Sequence, residues 1–160
     1  MNQIIKQDYP LFRLYQRMRE QLMDCLSDAD LGFTPGGDNP PLGRLCVDIG
    51  QTEQSYINSF HTFTLDFDYR HPNADVLAGS VERLKAWYKT LDEDLFAAVA
   101  ALSDDAIDNR PIDRGDDFTV PAGMQLEVYK QALLIFYSRC DVYLRMMGIT
   151  PSEQWRTWLG

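Results

Sequence analysis

Apolar residues return at three- and four-residue steps in four long stretches of the chain, the spacing that places them on one face of an α-helix. The clearest runs from Gln125 to Pro151, where Leu126, Tyr129, Leu133, Phe136, Cys140, Tyr143, Leu144 and Met147 form one broad stripe. Gly148 can take the left-handed conformation that ends a helix, and Pro151 prevents its resumption. A first helix is expected from about Asp8 to Cys25, with Asp8 and Pro10 marking its start. Leu11, Leu14, Tyr15, Met18, Leu22 and Cys25 make its inner stripe, and Arg13, Arg17, Arg19 and Glu20 its outer side. A second opens near Pro40–Pro41 and reaches Phe60; Leu42, Leu45, Ile49, Thr52, Tyr56 and Phe60 share a face, with Cys46 and Glu53 beside it. Gly43 and Gly50 each cost such a helix about 1 kcal/mol relative to Ala, which points to close approach of a neighbour. The third runs from about Ser80 to Leu102, with Val81, Leu84, Trp87, Tyr88, Leu91, Leu95, Phe96, Val99 and Leu102 facing inward.

The segments between are polar and rich in turn formers. SDADLGFTPGGDNPP is a loop longer than most helix connections, and HTFTLDFDYRHPN reads as a structured loop despite its alternating Phe63, Leu65, Phe67 and Tyr69. SDDAIDNRPIDRGDDFTVPAG has room for a small hairpin at most. The tail, SEQWRTWLG, is expected to form a last amphipathic turn that lays Trp155 and Trp158 on the bundle. Four one-faced helices of this length make an all-α four-helix bundle in one domain, residues 1–160. Its connections are long between helices 1 and 2 and between 2 and 3, and short, with room for the hairpin, before helix 4.

Composition narrows the function classes. A formal net charge of −9, with Lys and Arg scattered, argues against nucleic-acid binding. No run approaches the roughly 18–20 apolar residues of a membrane span, and the N-terminus, interrupted by Lys6, Asp8 and Arg13, is no signal peptide. Cys25, Cys46 and Cys140 are odd in number and widely spaced, which suits reduced, buried thiols and a cytoplasmic protein. A nucleophilic role for Cys46 or Cys140 needs a nearby activating group, and no His lies within two helical turns of either in sequence.

The motifs LGRLCVDIGQTEQSYI, SVERLKAWYKTLDEDLFAAVAALSDDAID and YLRMMGITP, in this order and with DLGFTPGGDNPPLG before them, resemble the DinB-like (DinB/YfiT) superfamily of four-helix bundles. The resemblance covers essentially the whole chain. It implies a divalent metal held by three histidines, one on the second helix and two, four residues apart, on the fourth. Residues at i and i+4 share a helix face, so two imidazoles can reach one ion while the third closes the triangle from another helix. Anchored on Leu42–Gly43 and on Gly148, the three family positions fall at Asp48, Ala132 and Phe136. Ala and Phe cannot ligate, and one carboxylate does not hold a transition metal tightly. His61 lies thirteen residues beyond Asp48, roughly 20 Å along a helix, and His71 precedes Pro72 in a loop. A degenerate site without metal or other cofactor is therefore expected.

What remains is a candidate pocket of Asp48, Glu53, Tyr56, Tyr129, Ala132, Phe136, Tyr137 and Arg139. Asp48, if it faces the interior, is its best ionisable group; an ion pair with Arg139 or Arg145, or plain exposure, is the structural alternative. The leading expectation is a bundle that is non-catalytic or binds a small apolar ligand. A second is a metal-dependent thiol S-transferase or hydrolase-like enzyme with non-standard ligands drawn from Asp48, Glu53 and a loop histidine. A third is a homodimeric interaction module, with which exposed Trp155 and Trp158 would be consistent.

Overall fold

The computed structural model describes residues 1–159. Eight helices lie in this span, in the order α1 (Gln3–Gln7), α2 (Tyr9–Asp24), α3 (Leu42–Thr62), α4 (Ala74–Leu77), α5 (Val81–Ala100), α6 (Asp104–Asn109), α7 (Ala122–Met147) and α8 (Glu153–Leu159). A single 3₁₀ turn, Asp30–Gly32, sits in the first long loop. Helices α2, α3, α5 and α7 form the bundle. Each packs against two others: α3 against α5 and α7, and α2 against the same pair, so that α2 and α3 stand diagonally opposite.

Local chemistry sets the helix ends. The Ser80 hydroxyl accepts from the Arg83 amide at the start of α5, and Gly148, at φ 70°, turns the chain out of α7. Asn2 caps α1 by accepting from the Ile5 amide, and its side-chain amide donates to the Val99 and Leu102 carbonyls at 2.7 and 3.0 Å. That tie fastens the N-terminus to the end of α5. The chain before α7 holds α6 and a hairpin of β1 (Ile112–Asp113) and β2 (Thr119–Val120), antiparallel with Ile112 opposite Val120. The loop after α3 docks on this hairpin through Asp113: its amide donates to the Phe63 carbonyl at 2.9 Å, and its carbonyl accepts from the Leu65 amide at 2.7 Å.

Two inward faces, those of α2 and α5, differ from the sequence expectation. On α2 the buried side is Tyr9, Phe12, Gln16, Met18, Arg19, Leu22 and Met23, whereas Leu11 is 51% exposed. Arg19, expected outside, is 1% exposed because acidic partners await it in the core. On α5, Phe96 stands 40% exposed at the edge of the α2 contact. At the C-terminus Trp155 is fully buried, its indole N–H donating to Asp141 at 3.0 Å, while Trp158 is 40% exposed against Tyr15.

The glycines of α3 do mark close approach. A Cβ on Gly43 would lie 1.9 Å from the Ala78 carbonyl oxygen, and one on Gly50 would lie 2.4 Å from the Trp87 ring. The first obstacle is backbone and cannot swing aside; the second is a side chain that can. Gly43→Ala is therefore expected to destabilise the fold by roughly 1–3 kcal/mol, and Gly50→Ala by less. Urea midpoints of the two variants check the order.

Candidate functional site

Four bundle helices each send a polar side chain to one place in the core. Arg19 of α2 reaches across the bundle, and its Nη1 donates to Glu53 Oε2 of α3 at 2.5 Å. Its Nη2 donates to Asp92 Oδ1 of α5 at 2.7 Å, and the guanidinium lies over the Tyr88 ring, 4.0 Å from the centroid. Gln16, one turn before Arg19, donates to the same Asp92 oxygen at 2.6 Å. From α7, Tyr129 and Tyr137 close the cluster; burial raises both hydroxyl pKa values, and the Glu53 and Asp92 charges push the same way. Arg19 Nε, Glu53 Oε1 and the Tyr129 hydroxyl have no hydrogen-bond partner.

Two carboxylates against one guanidinium leave the cluster one positive charge short. Burial of charge in a low-dielectric core is expensive, so the shortfall is met by holding a proton. Asp92 is the group that holds it: burial pushes its pKa up, Arg19 opposes this, Glu53 adds to it, and the result is about 7. Glu53 lies within hydrogen-bonding reach of Asp92, so a protonated Asp92 has an acceptor at hand.

Asp92 is also the one member of the Arg19–Glu53–Asp92 set that lines a cleft. Between α2 and α5 a cavity of about 410 Å³ opens, lined by Tyr9, Arg13, Gln16, Arg17, Glu20, Lys89, Asp92, Glu93 and Phe96. A second cavity of about 300 Å³ shares Glu20, Lys89 and Asp92 with it, so Asp92 stands where the two meet. One end of the larger cavity is aromatic, with Tyr9 and Phe96 edge to face at 5.1 Å. The size and the mix of apolar wall and convergent polar groups are those of small-molecule sites.

The residues singled out by sequence fall in different places. Glu53, Tyr56, Tyr129 and Tyr137 do gather in the core, with Tyr56 and Tyr129 rings 4.9 Å apart, but as packed wall rather than open pocket. Phe136 is buried beside Tyr137, and Ala132 is half-buried. Arg139 is exposed. Asp48 does not face the interior: its side chain is 49% exposed and pairs with Arg44, one turn back, at 3.1 Å, not with Arg139 or Arg145. It lines a polar cavity of about 360 Å³ with Arg44, Gln51, Thr52, Ser55, Phe67 and Arg70. Five residues along a helix turn the side chain well away from its starting direction, which is why Glu53 goes inside while Asp48 stays out. His61 is exposed, and His71 packs against Trp87 at 4.9 Å. Among the described residues no three His, Cys, Asp or Glu side chains group as a metal site would require. Cys46 and Cys140 are buried; burial lifts the Cys46 thiol to about 12 and Cys140 well above its ordinary value, which disarms both as nucleophiles.

Sequence reasoning missed Arg19, Gln16 and Asp92. A signal existed: Phe12, Gln16, Arg19 and Met23 share a helix face, as do Tyr88, Asp92 and Leu95. A polar pair at matched height on two apolar faces is what a buried ion cluster looks like in sequence.

The helical arrangement is that of a known superfamily. A family model described as the DinB superfamily matches residues 11–129, and the chain belongs to that family. The match stops within α7, before Ala132 and Phe136. The fold is similar to that of a DinB-like protein, YjoA, from Bacillus subtilis, at 19% identity and a TM-score of 0.66, covering 93% of this chain and 94% of that one. It is also similar to a mycothiol-dependent maleylpyruvate isomerase, at 16% identity and a TM-score of 0.62, covering 79% of this chain and 56% of that one. No curated protein matches in sequence. No helix among the described residues is long and apolar enough to cross a membrane.

Two consequences can be measured. Replacing Arg19 by Met strands Glu53 in the core, and is expected to cost about 3–5 kcal/mol of folding free energy in urea titrations. Asp92 ionises near the ordinary 3.8 when unfolded but near 7 when folded, so the folded state holds the extra proton between these values. Stability should therefore fall as pH rises from about 4 to about 7 and level off above. Asp92→Asn should flatten that slope in urea midpoints taken across the same range.

Proposed function

We propose that this protein is a DinB-superfamily bundle that works without the histidine metal centre of its relatives and binds a small, largely apolar organic molecule between α2 and α5. The observation that carries this reading is the cleft itself, an aromatic end at Tyr9 and Phe96 beside a partly buried carboxyl, Asp92. The residues at the family's ligand positions do not fit a divalent metal. Ala132 and Phe136 offer no donor atom, and the Asp48 carboxylate is engaged by Arg44. At the aligned position, the buried Phe136 ring would take the space of an imidazole. We further read the three free thiols, two of them buried, as suited to a reducing, cytoplasmic setting, and the net charge of −9 as opposed to nucleic-acid binding.

The alternative enzyme reading, a thiol S-transferase or hydrolase-like activity on non-standard ligands, draws support from the fold it has in common with the mycothiol-dependent isomerase. It would require Asp48, Glu53 and a loop histidine to act together. Glu53 is committed to Arg19 in the core, and His71 packs on Trp87. A homodimer is a second reading with an observation of its own: Met124, Ile135, Val142 and Met146 stand about half exposed or more along the outer side of α7. It no longer draws on Trp155, which is buried.

Untagged protein purified without chelator is expected to carry far less than one nickel or zinc per chain by mass spectrometry, and added metal should leave the melting temperature unchanged. In the same preparation, 2-phenylethanol should shift the Tyr9 and Phe96 ring resonances saturably. Stoichiometric metal that raises the melting temperature would restore the enzyme reading.

A further inference from the structure

We infer that the cleft between α2 and α5 selects a small organic ammonium, a primary amine on an apolar body, whose charge takes the place of the proton otherwise held between Asp92 and Glu53. The inference rests on the reading of the cleft as a ligand site.

Arg19 alone answers two carboxylates, one buried and one partly buried, and the two donors that reach the Asp92 carboxylate, Gln16 and Arg19, both converge on Oδ1. Glu53 Oε1 is buried without a hydrogen-bond donor. The carboxyl pair thus has acceptor capacity in excess of its donors, and one further cation completes it. A proton does so from within: Asp92 donates it to Glu53. An ammonium does so from the cleft, where Asp92 is 19% exposed and an N⁺–H can reach it while Glu53 stays bonded to Arg19. The body of such a ligand would lie toward Tyr9 and Phe96, and aromatic faces favour a neighbouring cation.

The other charged groups around Asp92 do not reverse this preference. The rim carries Arg13, Arg17 and Glu20 from α2 and Lys89 and Glu93 from α5, all on side chains exposed to water and screened by it. Behind Asp92, Tyr129 and Tyr137 keep their protons because burial raises both. The overall negative charge draws cations toward the protein.

Exchange of a proton for an ammonium has a signature beyond affinity. As pH rises through about 7 the proton leaves Asp92, while an alkyl ammonium keeps its own to about 10. Binding of the amine should tighten from pH 6 to pH 8, and below pH 7 it should expel a proton.

The test is calorimetric titration with 2-phenylethylamine, 2-phenylethanol and phenylacetate, at pH 6 and 8 and in two buffers of different ionisation enthalpy. The amine is expected to bind at least tenfold tighter than either comparator at pH 8, with protons released at pH 6. Asp92→Asn, its fold checked by circular dichroism, should lose that tenfold advantage. The proton count on the unaltered protein stands even if the variant fails to fold. Equal binding of alcohol and amine, or preference for the carboxylate, overturns the ammonium assignment and leaves the cleft as a ligand site. Binding of none of the three overturns both.

Discussion

Arg19 reaches past its neighbours to the diagonally opposite helix, and the distance it spans fixes how α2 and α3 can sit. Its guanidinium binds Glu53 at 2.5 Å and Asp92 at 2.7 Å, so one side chain sets the spacing of three helices at once. A planar, always-charged group with forked donors can do this; a lysine has one point charge and cannot hold both carboxylates in one geometry. The apolar contacts above and below are nondirectional and would tolerate small rotations of α2. The ion cluster does not, because rotating Arg19 out strands Glu53 in the core. Specific register here comes from the polar minority, at some cost in stability.

The same cluster accounts for the way α2 differs from its sequence pattern. Taken as an amphipathic stripe, α2 turns Leu11 in and Arg19 out, since apolar burial is the strongest general force. Two carboxylates on other helices shift the balance, and the helix turns until Phe12, Gln16, Arg19 and Met23 face inward. No count of α2 residues alone contains that information, because the partners lie 34 and 73 residues away in the chain. By contrast α3, α5 and α7 were legible in extent, because their stops are local: Gly148 for α7, the Ser80 cap for α5 and the Pro40–Pro41 entry to α3. The tight passages at Gly43 and Gly50 were legible for a like reason, since a glycine in mid-helix needs a steric cause.

The candidate site was legible only in pieces. Glu53, Tyr56, Tyr129 and Tyr137 are all buried, with Tyr56 against Tyr129, but the family pattern drew attention to the α3–α7 side, where Asp48 is a half-exposed partner of Arg44. The cleft lies on the opposite side of the bundle, between α2 and α5, and its carboxyl, Asp92, sits in α5 one position past a core leucine. Read singly, an aspartate there is a solvated edge residue. It becomes a site through what stands behind it.

A buried carboxylate with its counter-ion supplied is structural; one whose counter-ion is shared between two claimants has work left to do. As a brace, Glu53 ties α2 to α3 and Asp92 ties α2 to α5, but the second carboxylate brings a desolvation cost that one guanidinium does not offset. Its position on the wall of a cleft gives the second carboxylate a use that the first cannot have, since Glu53 is fully buried and Asp92 is not. On the proposed reading the pair divides the labour: Glu53 holds the helices through Arg19, and Asp92 couples that interior charge to a ligand between α2 and α5. Occupancy of the cleft by a cation would then be felt at Arg19, and through it at the bundle's central contact.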